Sequence, residues 1–181
     1  VTVAISEAVK KDFDIKGPVI NNLMRKSSEA TLFLISATRI PAPDKGDNEM
    51  RMRKLAQMLI EAEIPYIWLN FSDGKLQDPP KNFFNIPLTL DVQNYIQKAD
   101  YLVQLSSRES FGNSVLEALV NNVPVICTPI EAFKDFGVED GVNAHIVPFD
   151  MNFDVNKLLD KPKFFYEYDN EMRVRQWLEI I

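Results

Sequence analysis

The chain has 181 residues, 46% of them hydrophobic, and a formal net charge of −6. That length suits one ordinary domain, or one plus a piece of another, and the apolar content supports a buried core rather than disorder. The acidic balance argues against a nucleic-acid binder, which needs a basic footprint, and one His with one Cys all but excludes a Cys/His metal site.

The opening, VTVAISEAVKKDFDIKGPVINN, reads as a strand, a helix and a linker. TLFLISA (31–37) is the clearest strand. Its hydrophobicity is continuous rather than alternating, as expected of a parallel strand buried on both faces. The Pro-rich loop RIPAPDKGD follows, and then a helix over NEMRMRKLAQMLIEAEI, with Met52, Leu55, Ala56, Leu59 and Ile60 at helical spacing. PYIWLNF (65–71) is a strand, and FFNIPL a short one that Pro87 pushes toward a sheet edge. DVQNYIQKA is a short helix with Asp91 at its N-cap. DYLVQLSS is a buried strand, SVLEALVNN a helix, and PVICTP a strand closed by Pro129. EAFKDFGVEDGVNA reads as loop and turn, HIVPF as a strand and VNKLL as a short helix. The end, FYEYDNEMRVRQWLEII, contains a helix whose Met172, Trp177, Ile180 and Ile181 are candidates for a docking face. Strands alternating with helices predict an α/β fold, a Rossmann-like open parallel sheet with helices on both faces and right-handed crossovers.

No run of eighteen apolar residues occurs, so no membrane span is expected. The start lacks a signal-peptide pattern and an initiator Met, so the chain reads as a piece of a longer one. Cys127 lies in an apolar run, where an inert buried thiol is expected, and a cytoplasmic location fits. His145, beside a strand, is expected to be structural.

Ligands of open α/β sheets bind at the carboxyl ends of the strands. Those ends here carry Arg39 and Lys45, then Arg108 to Gly112, then the region 131–144. A helix starting near Gly112 to Ser114 offers unpaired N–H groups and a positive dipole end to an anion, and Gly112 permits close approach. The plainer reading is an ordinary cap by Asn113 or Ser114. Arg39 and Lys45, on a stiff loop, suit a pyrophosphate; alone, they also read as solvated surface charges. Glu117, in the helix's second turn, can accept two hydrogen bonds from a vicinal diol, or can simply complement the helix dipole. Glu109, just before the turn, could hold a sugar hydroxyl. A glycosidase-like acid/base pair is disfavoured, since nothing sets the two carboxylates across a bond.

ESFGNSVLEAL resembles the E-x7-E signature of retaining glycosyltransferases of the GT-B fold, family four (glycosyl transferases group 1). SATRI followed by DKG resembles that family's arginine loop and lysine-glycine pair. DYLVQLSSRESFGNSVLEALVNNVPVICT and EDGVNAHIVPFD resemble its longest continuous stretches. The chain departs after PVICT, where PIEAFKD replaces the usual Gly-Gly, and at Ala144, where Gly is usual.

The resemblance implies the C-terminal half of a two-domain enzyme that transfers a sugar from a nucleotide diphosphate. Residues 1–30 would then end an N-terminal domain and cross to this one, residues 31–165 would be the nucleotide-sugar-binding domain, and residues 166–181 a helix packing back. Arg39, Lys45 and Glu109 would be the catalytic set, with the two cations on the diphosphate. Glu117 would take the ribose, and Glu109 with the backbone of Ser110, Phe111, Gly112 and Asn113 the donor sugar. Leu88 and Thr89 would lie near the base. No metal and no other cofactor are expected. The acceptor, a glycan or lipid-linked molecule in bacterial polysaccharide synthesis, would be held mainly by the missing half, as would any peripheral membrane contact. Two other readings are a nucleotide-sugar 2-epimerase, which should bring more acid/base groups, and a non-catalytic α/β module such as a receiver. A receiver needs acidic residues at strand ends, whereas Asp100 precedes its strand.

Overall fold

A computed structural model describes residues 31–40, 46–169, 171, 174, 175 and 178. The expected opening strand, helix and linker, Lys45, and the docking-face residues Met172, Trp177, Ile180 and Ile181 lie outside the described residues. Six strands form one sheet: β1 (Leu32–Ala37), β2 (Tyr66–Ser72), β3 (Phe83–Pro87), β4 (Tyr101–Gln104), β5 (Val125–Cys127) and β6 (Ala144–Ile146), in the order β3-β2-β1-β4-β5-β6. Every pairing is parallel. The Rossmann-like reading therefore holds, and Pro87 does close an edge strand.

The continuous apolar strands feed two cores. On one face, Leu34 of β1, Val103 of β4 and Ile126 of β5 pack with α1 (Asn48–Glu61) through Met52, Leu55, Ala56 and Leu59. The 3-10 helix Val155–Leu159 adds Leu158 to the same cluster. On the other face, Ile35, Leu102 and Val125 meet α2 (Val92–Ile96) through Ile96 and α3 (Asn113–Val120) through Val115, Ala118 and Leu119. Neighbouring residues of one strand thus serve opposite layers, the two-residue period of a strand buried on both sides. Each fully buried aliphatic side chain contributes about 1.5–3 kcal/mol relative to exposure.

Three local expectations change. Ile60 stands at the margin of the α1 stripe and is 40% exposed, while Arg51 and Asn48 are buried on that helix instead. Asp91 occupies the cap position of α2 but makes no side-chain cap bond. The segment read as loop and turn contains a 3-10 helix, Glu131–Phe136, because Phe133 and Phe136 anchor it to the core. At the other end of the chain, Glu171, Val174, Arg175 and Leu178 are helical, as the pattern predicts.

At the amino end of the sheet, Asp100 Oδ2 accepts from the Phe33 backbone N–H at 2.9 Å, and Asp100 Oδ1 lies 3.4 Å from Lys161 Nζ. The carboxylate is used to close the seam between β1 and β4, which is not the arrangement of a phosphorylated receiver. His145 is buried, with Nε2 3.1 Å from the Asp160 carbonyl and its ring beside Tyr101. Burial holds it below its ordinary value, against the hydrogen bond to Asp160. Burial pushes the Cys127 thiol up to about 12, so it stays protonated and unreactive.

Candidate functional site

The chain runs outward from β1 to β2 and β3, then returns to place β4 on the other side of β1. At such a reversal the loops leaving the two adjacent strands diverge in opposite directions, and a crevice opens between them. A cleft of about 440 Å³ lies there, lined by Ala37, Thr38 and Arg39 after β1 and by Gln104 and the segment from Glu109 to Ser114, with Glu117, after β4.

The β1 side is aimed by its neighbours. Thr38 and Ile40 are buried, and the Ile40 N–H donates to Ser72 Oγ at 3.0 Å at the end of β2. Thr38 Oγ1 accepts from Asn48 Nδ2 at 3.3 Å. Arg39, held between two anchored residues, is exposed on the cleft wall.

The β4 side is held by a buried arginine. Arg51 donates from Nη1 to the Leu105 carbonyl at 2.9 Å and to Ser107 Oγ at 3.0 Å, and from Nε to the Phe149 carbonyl at 2.9 Å. It also lies 3.7 Å from the exposed Asp47 carboxylate and over the Phe149 ring. Planar and multiply donating, the guanidinium joins the loops after β4 and β6 to the start of α1. Gly46 packs so tightly on Ser107 that a Cβ there would overlap its hydroxyl. Gly46 is thereby docked against the loop that leads to Glu109.

The turn into α3 is made by Gly112, with φ +91°. A Cβ at this position would sit 2.7 Å from Phe133 Cε1, so glycine is required by both backbone and space. Phe111 stacks edge-on against Phe136 at 4.8 Å. The 3-10 helix that replaces the usual Gly-Gly segment therefore forms an aromatic floor under the turn. Gly112 itself is the cap residue of α3 and, having no side chain, supplies no cap bond. Neither Asn113 nor Ser114 caps it, contrary to the plainer expectation. The start of α3 lines the cleft, and its cap residue brings no side-chain acceptor there.

Arg39, Glu109, Ser110, Phe111, Gly112, Asn113 and Glu117 thus share one cleft. Leu88 and Thr89 do not line it. They follow β3, on the same carboxyl edge but separated from β1 by β2, with Leu88 63% exposed and the Thr89 hydroxyl accepting from the Asp91 N–H at 3.2 Å. Two residues escaped the sequence reading. Gln104 lines the cleft and donates from Nε2 to Glu109 Oε1. Its signal was a lone polar residue in the apolar run YLVQL, since a buried amide has to find partners. Arg51 showed itself only as a charge on the otherwise apolar stripe of α1. Among the described residues, no three His, Cys, Asp or Glu side chains cluster as metal ligands would.

The sequence over residues 80–174 matches the family model described as glycosyl transferases group 1. No curated protein matches the chain. Among solved structures, one of TarM superposes with a TM-score of 0.67 at 18% identity, over 98% of this chain and 42% of TarM. WaaG, a glycosyltransferase involved in lipopolysaccharide biosynthesis, gives 0.55 at 15% identity, over 86% of this chain and 40% of its own. Anabaena HepE in complex with UDP and glucose gives 0.53 at 18%, over 87% of this chain and 53% of HepE. At these identities the likeness is one of fold, and the chain spans about half or less of each of these proteins.

Proposed function

The chain belongs to the glycosyl transferases group 1 family, and from that premise we propose that its cleft binds the nucleotide diphosphate sugar of a retaining glycosyltransferase. The observation that carries this is the meeting of Arg39, Glu109, the Gly112 turn and Glu117 at the β1–β4 reversal. A donor of this class presents a diphosphate, a ribose diol and a sugar, and the cleft offers one partner for each.

The diphosphate would lie between Arg39 and the start of α3, with Lys45 as a second cation. In transfer, the bond from the anomeric carbon to the diphosphate oxygen breaks, and negative charge grows on the leaving group. Fixed cations and helix N–H groups aimed at that oxygen stabilise the transition state more than the bound donor, which is how they accelerate the step. Glu117, one turn into α3, would accept from both ribose hydroxyls. Glu109, together with the backbone N–H groups of Ser110, Phe111 and Gly112, would orient the sugar. Leu88 and Thr89, farther along the same edge, would meet the base.

UDP is the first nucleotide to try, because UDP occupies the HepE structure. An acceptor glycan or lipid-linked chain would be held largely by a second domain, so this chain alone should bind donor and transfer little. About −0.3 kcal/mol per non-hydrogen atom gives micromolar affinity at best for a nucleoside diphosphate. A thermal-shift screen of UDP-, GDP- and ADP-sugars tests the proposal, since a ligand of the native state raises its apparent stability. One nucleotide series should raise Tm in a concentration-dependent way. No shift with any of them at millimolar concentration would overturn the reading.

A further inference from the structure

We infer that Gln104 is a positioning residue for Glu109, holding its carboxylate toward the cleft at a cost to the stability of the sheet. The inference rests on the donor-site reading above, because it assigns Glu109 to the sugar.

Gln104 ends the central strand β4 and is 4% exposed. Its backbone is fixed: its Cα is paired with that of Cys127, and its carbonyl accepts from the Thr128 N–H at 3.3 Å. From this rigid base the side-chain Nε2 donates to Ser106 Oγ at 3.1 Å and to Glu109 Oε1. Ser106 is itself fully buried, and its carbonyl accepts from the Thr128 hydroxyl. Glu109, by contrast, belongs to the loop between β4 and α3, which the Gln104 amide ties to the strand.

The orientation of the amide has a consequence. An ionised carboxylate only accepts hydrogen bonds, so Glu109 requires the NH2 side of Gln104. The amide oxygen is then turned away. Gln104 Oε1 is buried and has no hydrogen-bond partner. Such orphaned acceptors are uncommon and unfavourable in folded proteins. In an otherwise apolar strand, Leu or Met would avoid the penalty. The arrangement makes sense as a fixed address for Glu109, since loop-borne groups need a locked supporting shell to be placed accurately.

Gln104→Met keeps the side-chain length and removes both polar atoms, and Gln104→Leu repeats the test with a different shape. Each variant of the full chain is followed by thermal unfolding. Each is also titrated calorimetrically with UDP-, GDP- and ADP-glucose and with the corresponding diphosphates. The expected result is an unchanged or raised Tm and an unchanged affinity for the diphosphate. The ratio of sugar-nucleotide to diphosphate affinity should fall by roughly tenfold, the scale of one charged hydrogen bond. In a Glu109→Ala background the same substitution should leave that ratio unchanged, because the fall seen in the wild-type background acts through Glu109. A lowered Tm or loss of folding in both variants, or equal weakening of both ligands, would make Gln104 structural only and overturn the inference. An unaltered ratio in variants that bind would sink this inference alone. A wild-type chain that binds none of the six ligands would sink the donor-site reading and this inference with it.

Discussion

Asp100 and Glu109 stand just before and just after the same buried strand, β4, and the fold uses the two carboxylates differently. Asp100 meets the Phe33 N–H and Lys161 at the amino end, where β1 and β4 lie side by side and their backbone groups need closing partners. Glu109 stands at the carboxyl end, where the chain reverses its order across the sheet and the loops part. One carboxylate closes the seam between two strands, and the other faces a cleft. A sequence pattern shows an acidic residue beside a strand, but the sheet's direction decides whether the scaffold uses it.

The sharpest test of this contrast is at the carboxyl end. Glu117→Ala should weaken nucleotide binding by roughly 10- to 100-fold, corresponding to about 1.5–3 kcal/mol for a charged hydrogen bond, and leave Tm unchanged. Calorimetric titration against wild type checks it, and equal affinities would remove Glu117 from the site. The converse holds at the amino end. Asp100→Ala leaves the Phe33 N–H without its acceptor and should lower stability by about 1–3 kcal/mol, read by denaturant unfolding, with nucleotide affinity unchanged. A variant as stable as wild type that binds more weakly would reverse the assignment of the two ends.

The smallest effect concerns His145, away from the cleft. Its folded-state value is depressed by burial below the ordinary 6.5. The unfolded chain therefore takes up a proton first as pH falls. The contribution to stability is complete above the ordinary value and is lost as pH drops from there toward the lower folded value. His145→Gln, which retains a donor for the Asp160 carbonyl, should lose less Tm than wild type between about pH 7.5 and about pH 5.5. Parallel curves for the two proteins would show that the ring does not report burial.

Much of the architecture was legible because it depends on local patterns. Continuous apolar runs bounded by polar residues located β1, β2, β4 and β5, and Pro87 marked the edge strand, since proline lacks the N–H of an inner ladder. Much of the cleft was legible for a related reason: Arg39 follows β1, the Gly112 turn follows β4, and adjacent parallel strands end on one edge. The 3-10 helix at Glu131–Phe136 was not legible, because its short apolar spacing becomes a helix only when Phe133 and Phe136 find the underside of the Gly112 turn. Ile60 was misplaced because a helical stripe has a width that only its neighbours define.

By itself, the order of residues determined the alternation of strands and helices, the buried character of the strands, and the glycine at the start of α3. These follow from periodicity and from which backbone angles each residue tolerates. Only the tertiary structure decided that Arg51 is buried as a clasp while Arg39 stands at the cleft, and that Gln104 gives its side-chain NH2 to Glu109 and leaves its side-chain oxygen Oε1 unpaired. Those outcomes depend on which distant groups meet. A side chain's chemistry is set by its partners and its access to water, and neither is written at its own position in the chain.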